Sequence, residues 1–303
     1  MSRANTQQAG TRTRPSDAIV VPVILSGSTL WGLYWLPLRW LEQAGLGGLW
    51  ALTFVYIGAV LTLGIGARGH WRTGHRGGWR LLGIGLAAAV SGITFGLGMI
   101  EGNVARVMIL FYLSPVWAVL LGRLVLGERI LPVTVPALVL ALFGAGLMLL
   151  GDVAGGGNGG GTFSFSDADL LGLVAGLGFA LTNVQLRAAR GLPGALKNLA
   201  TCALVPPLAA AAALALGAPF SAPWWALPAA LAVGLIWLSS MIAATQFGIS
   251  NLPLQRSSLL LLFELVVGAA SAAILAGEAL SATELLGGAC IVLTGLAVVW
   301  ARR

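Results

Sequence analysis

One carboxylate, Glu264, stands well inside an apolar run of this chain, and no other acidic residue does so. At mid-depth in a bilayer such a group has to be paired, protonated or turned toward water. Facing a cavity, it could carry a coupling proton or receive a substrate ammonium. The opposing reading is a bond between helices, with Arg106 or Arg187 as partner. Ser257, Leu261, Glu264, Gly268 and Ser271 fall at i, i+4, i+7, i+11 and i+14, so in a helix they form one stripe. Two more stripes repeat the pattern: Ser91, Thr94, Gly98 and Glu101, and Ser239, Ala243, Gln246 and Ser250. A single Ser or Thr often bonds its own helix or glues two helices together. As sets, the stripes could line opposite halves of one cavity.

Aromatic residues are the second resource. Trp31, Trp35, Phe95, Phe111, Tyr112, Trp117 and Trp237 lie inside apolar runs, where packing and lipid contact compete with ligand contact. Trp71, Trp79, Trp224 and Trp225 lie at run ends, as an interfacial belt would. Trp31 and Trp35 share a stripe with Ser28 and Arg39. Asn183 sits where an internal echo (148 positions on) places Trp35. A stacking surface beside an amide suits a zwitterionic aromatic ligand. The candidate binding set is therefore Trp31, Ser91, Thr94, Tyr112, Asn183, Ser239, Gln246 and Glu264. Glu128 and Glu278 close Gly-Glu turns and are expected to fix helical hairpins. Ser28-xxx-Gly32, Gly92-xxx-Gly96 and Gly172-xxx-Gly176 permit close helix approach.

The elements that must position these residues follow from composition. Hydrophobic residues make up 58% of the 303 and charged ones only 9%, where a soluble domain keeps roughly a quarter charged. Apolar runs recur at about 18–40, 47–67, 81–100, 104–125, 131–151, 168–189, 196–217, 224–248, 254–276 and 282–301. Each is near the ~20 residues that cross ~30 Å of hydrocarbon. Uninterrupted runs of this length must satisfy their backbone internally, as helices. The expected fold is an all-α polytopic membrane protein of ten transmembrane helices. Residues 1–17 are a polar, basic tail without the apolar core of a cleavable signal, so the first helix is expected to stay. Residues 152–167 contain GGGNGGG and predict a Gly-rich extracytoplasmic linker between repeats at 18–151 and 168–303. Cys202 and Cys290 offer neither a disulfide framework nor a zinc spacing.

The chain also repeats itself. Arg106–Glu128 reads RVMILFYLSPVWAVLLGRLVLGE, and Arg256–Glu278 reads RSSLLLLFELVVGAASAAILAGE, with Arg on Arg and Gly-Glu on Gly-Glu at an offset of 150. Arg123 and Arg129 flank the first Gly-Glu; Ala273 and Ala279 stand there in the second copy. With the amino terminus inside, Arg3, Arg12, Arg14, Arg68, Arg72, Arg76, Arg80, Arg123, Arg129, Arg187, Arg190, Lys197, Arg256, Arg302 and Arg303 gather on the inner side. Only Arg39 and Arg106 remain outside. That bias predicts cytoplasmic termini. Five helices per half is an odd number, so the halves are expected to be inverted.

The first-helix Trp31-Gly32 with Arg39, and the fourth-helix LSPVWAVLLGRLVLGER with Leu113-Ser114-Pro115 and Gly127-Glu128, resemble the drug/metabolite transporter superfamily, specifically its EamA-type ten-helix members. Glu278, in AGEAL, repeats the Gly-Glu element. The resemblance extends over nearly all of 18–302, and within the superfamily the chain looks most like the YddG-type aromatic amino acid exporters. One departure is that Glu264-Leu265 replaces Ser114-Pro115 in the second copy, without the proline. The resemblance implies a secondary transporter working by alternating access in a bacterial inner membrane, exporting small metabolites, aromatic and other amino acids foremost. A sugar or nucleoside carrier would share the same pattern. The implied partners are a small-molecule substrate and the bilayer, with no nucleic acid and no cofactor; one copy suffices.

Other classes fit poorly. The only histidines, His70 and His75, lie in a basic loop, and the sequence has no metal-ligand cluster, no Gly-rich phosphate loop with Lys and no paired carboxylates inside a run. A membrane-embedded enzyme or nucleotide-driven pump is therefore not expected. A channel would want a filter-like loop or a charged ring.

Overall fold

The computed structural model describes residues 16–71, 77–127, 134–154, 166–189, 191–252, 257, 260–261, 263–278 and 281–300. Every regular element among them is helical. In chain order they are α1 (Asp17–Gly32), α2 (Trp35–Gln43), α3 (Gly48–Ala67), α4 (Gly78–Glu101), α5 (Val104–Phe111), α6 (Ser114–Leu126) and α7 (Thr134–Ala154). The second half brings α8 (Asp167–Ala188), α9 (Gly194–Ala203), α10 (Val205–Ala215) and α11 (Ala226–Ala232). A π-helical segment, Val233–Leu238, then leads into α12 (Ser239–Asn251), followed by α13 (Phe263–Leu275) and α14 (Ala282–Trp300). Seven rods are long and apolar enough to cross a membrane: α1–α2, α3, α4, α5–α6, α8, α9–α10 and α11–α12. Leu61, Ile65, Leu86, Leu124, Val139 and Ile236 stand bare on the outside. Water would penalise such a surface and lipid does not. The protein is a multi-pass membrane protein.

Three rods read from sequence as single helices are broken, each beside proline. Pro37 would clash with the Leu33 carbonyl one turn back, and the helix parts at Leu33–Tyr34. Pro115 does the same to Phe111, so α5 and α6 part at Tyr112–Leu113. Pro206 and Pro207 open α10 after a break at Leu204. Hydrophobicity runs straight through all three breaks. The sequence expectation of unbroken spans is corrected on these rods.

The two halves interleave. α8 packs on α4, α5 and α6; α1 on α12 and α13; α14 on α7; and α3 on α10 and the π segment. Small residues allow the closest approaches. A Cβ at Gly234 would run into the Val55 carbonyl, and one at Gly268 into the Met108 thioether, with the Gly32 carbonyl close behind. The expected 152–167 linker is narrowed at its edges, where α7 runs on to Ala154 and Ser166 caps α8; its residues 155–165, residues 1–15 of the tail, Glu128, Arg129, Arg190 and Arg256 lie outside the described residues.

Candidate functional site

A cavity of about 430 Å³ lies between the halves. Its aromatic wall holds Trp31, Tyr56, Phe95, Phe111, Tyr112 and Phe179. Phe111 is the hub, with ring centroids 4.7 Å from Phe95, 5.1 Å from Phe179 and 5.9 Å from Tyr112. The break between α5 and α6 falls at Tyr112, so Phe111 and Tyr112 belong to the bend itself.

The polar lining divides into spent and unspent groups. Ser91 Oγ donates to the Ala175 carbonyl at 2.9 Å, tying α4 to α8. The hydroxyls of Thr182, Thr201 and Thr245 donate to carbonyls of their own helices, at 2.8 Å each. Asn183, Asn198, Gln246, Tyr56, Tyr112 and Glu264 also line the cavity. Among the described residues none of these six side chains has a hydrogen-bond or ion-pair partner. Buried donors and acceptors are rarely left so, because an unmade bond is costly. A cavity carrying one carboxylate, three primary amides and two phenols, with aromatic faces around them, is chemically prepared for a small ligand bearing a ring and an amino group.

Trp31, Ser91, Tyr112, Asn183, Gln246 and Glu264, from six different rods, therefore line one space. Thr94 and Ser239 do not line it. Thr94 Oγ1 bonds the Val90 carbonyl on the outer side of α4, at 2.7 Å. Ser239 Oγ reaches back across the π segment to the Gly234 carbonyl at 3.0 Å. Neither has bonding capacity turned into the cavity, which corrects their place in the candidate set. Tyr56, Asn198 and Phe179 are additions. Asn198, Thr201 and Cys202 fall at i, i+3 and i+4, a stripe on the seventh apolar run that could have marked Asn198; Phe179 stands where the internal echo (148 positions on) places Trp31, and Tyr56 carried no pattern of its own.

Ion pairs mark one end of the bundle. Arg39 Nη1 pairs with Glu278 Oε1 at 2.8 Å, its Nε donates to the Met99 carbonyl at 2.8 Å, and Nη2 donates to the Gly102 carbonyl. Glu278 Oε2 accepts the Val104 N–H at 2.7 Å. Arg106 Nε pairs with Asp169 Oδ1 at 2.7 Å, and Asp169 also closes the capping box of α8 with Ser166. Between these pairs and the cavity, Trp35 Nε1 donates to Ser271 Oγ at 3.0 Å. Four contacts thus tie the first half to the second at this end. Two expectations change as a result. Arg106 serves Asp169, not Glu264, and Glu278 reaches across to Arg39 and α5 instead of only closing its own hairpin. Trp35, on the same expected stripe as Trp31, is turned away by the break at Leu33–Tyr34 and buried against Ser271.

At the other end the cavity lining continues through Leu186, Asn198, Ile249 and Leu261. These stand near the turns that share an end with the start of α1.

Residues 18–150 match the EamA-like transporter family. A crystal structure at 20% identity superposes with a TM-score of 0.56, covering 95% of this chain and 99% of that one. It is among 14 solved chains that match, and at that identity it speaks for the fold alone. No curated protein matches the chain. Over residues 18–150, a little under half of its length, the chain is thus similar to EamA-like transporters.

Proposed function

We propose, for a membrane protein whose residues 18–150 are similar to EamA-like transporters, a secondary transporter that exports small metabolites, aromatic and other amino acids foremost, by alternating access. In this reading the seven long rods are joined by α7, α13 with the residues before it, and α14, giving ten crossings. Residues 18–151 and 168–303 form two inverted five-helix repeats, joined by a linker at 152–167. The YddG-type aromatic exporters are the proposed nearest kind. The amino-terminal end of the bundle is the cytoplasmic end, both termini lie there, and the membrane is a bacterial inner membrane. The conformation described is then open toward the cytoplasm and sealed outside.

The observation that carries this reading is the set of six unspent polar side chains in an aromatic-walled cavity between the halves. Packing would use such groups up or replace them with apolar ones; a site that exchanges ligands keeps them free. Trp31 and the Phe111 cluster supply stacking surface, Glu264 receives the amino group, and Asn183, Asn198 and Gln246 supply neutral hydrogen bonds.

The test is uptake by proteoliposomes of labelled amino acids, aromatic and aliphatic, with and without an imposed pH gradient. Saturable uptake of Trp, Phe or Tyr, with mutual competition, is expected. Glu264→Gln is expected to lower uptake at least tenfold while the protein stays monodisperse. Uptake by Glu264→Gln at the rate of the unaltered protein would remove that carboxylate from the site.

A further inference from the structure

The charge balance of the cavity narrows the ligand. Among the described residues its lining holds one ionisable carboxyl, Glu264, and no Lys, Arg or His. Arg39 and Arg106 are engaged with Glu278 and Asp169 at the sealed end. An aromatic ring and an ammonium both find partners: the ring in the Phe111 cluster, the ammonium at Glu264. A substrate carboxylate finds only neutral donors, the amides of Asn183, Asn198 and Gln246 and the phenols of Tyr56 and Tyr112. Charges at this depth are costly unless paired with opposite charge.

A zwitterion bound beside ionised Glu264 leaves one uncompensated negative charge in the cavity. It reaches neutrality only with Glu264 protonated, and then the ammonium loses its ionic partner. An aromatic amine without an ionised carboxylate meets neither difficulty. Its ammonium and Glu264 sum to zero, and a carboxamide in place of the acid matches the side-chain amides donor to acceptor.

Resting on the transport reading of this cavity, we propose that it selects aromatic amines whose carboxyl group is absent or neutralised, such as amino acid amides, over the parent zwitterions. The site reads ring and ammonium and discriminates against the substrate's own carboxylate.

Isothermal titration of the detergent-solubilised full chain at neutral pH, with tryptophanamide, phenethylamine, tryptophan and phenylalanine, tests this. The amide and the amine are expected to bind at least tenfold more tightly than tryptophan and phenylalanine. Glu264→Gln is expected to collapse that gap to less than threefold; should that variant aggregate, Glu264→Asp keeps the charge and is expected to keep the order. Equal or tighter binding of the amino acids overturns the proposal and leaves the transporter reading standing. A gap that survives Glu264→Gln also overturns it, since selection would then not come from that charge. Absence of binding by all four, together with no uptake of any of them into proteoliposomes, overturns this proposal and the amino acid reading beneath it.

Discussion

The two ends of the bundle are built by different means. At one end Arg39–Glu278 and Trp35–Ser271 bind α2 to α13 and the turn after it, and Arg106–Asp169 binds α5 to α8, each across the two halves. At the other, apolar packing around Val20, Ile24 and Leu252 is joined by a single long hydrogen bond from Ser28 Oγ to the Leu260 carbonyl, at 3.2 Å, and the cavity lining reaches toward it. Polar bonds under an apolar skin are directional and discrete: they are made or broken, with little between. Apolar packing slides. A transporter that must open its ends in turn gains a definite closed state at the first and a compliant surface at the second.

The sharpest way to break this contrast is Asp169→Asn. The Arg106–Asp169 side chains are 10% and 2% exposed, and removing one partner of a buried pair costs about 3–5 kcal/mol. The fraction of protein surviving a heat step as a monodisperse peak is expected to fall sharply. Survival equal to that of the unaltered protein would show that this end is not held by charge. Glu278→Gln should cost less, about 1–2 kcal/mol, since Arg39 and Glu278 are 18% and 13% exposed and Arg39 keeps its two carbonyls. It acts on the equilibrium between states, so maleimide labelling of a cysteine at position 271 (with Cys202 and Cys290 replaced) is expected to rise about tenfold. The Arg39→Glu, Glu278→Arg exchange should bring labelling back part of the way. Ser271→Ala removes the last contact before the cavity. A loss near 1 kcal/mol predicts a change in transport of about fivefold, read as initial uptake rate. Thr94→Ala supplies the floor: its hydroxyl bonds only its own helix, and both rate and heat survival should match the unaltered protein within error.

Much of this molecule was written in its local chemistry. A carboxylate, an amide or a phenol inside an apolar run cannot hide, and Glu264, Asn183, Gln246 and Tyr112 all fall on one cavity. Helical phase was less informative. Thr94 shares a stripe with Ser91, yet Ser91 faces α8 and Thr94 faces outward, because a stripe fixes relative angle on one helix and says nothing about the neighbour. Prolines 37, 115 and 206 stood in plain view; continuous hydrophobicity masked the breaks they cause, and one of those breaks separates Trp31 from Trp35. The pairing of Arg39 with Glu278 spans most of the chain and has no local signature. Only the packing of α2, α5 and α13 brings it about.

The π-helical stretch Val233–Leu238 gives this rod one place where its length can change without turning its far end. Packed by Gly234 against α3 upstream and carrying Thr245, Gln246 and Ile249 downstream, it winds close to one extra residue into a turn through i→i+5 bonding. Deleting a single residue there lets the turn relax to ordinary geometry, in which four residues at about 100° each sweep roughly the angle that the wider turn takes five to cover. Gly234 then stays on Val55 and Gln246 stays in the cavity. The same deletion a turn later, in the regular helix before Gln246, rotates everything beyond it by about 100° and takes that amide off the lining. Kin of this chain that lack the extra residue can seat a ligand with the same face of the helix.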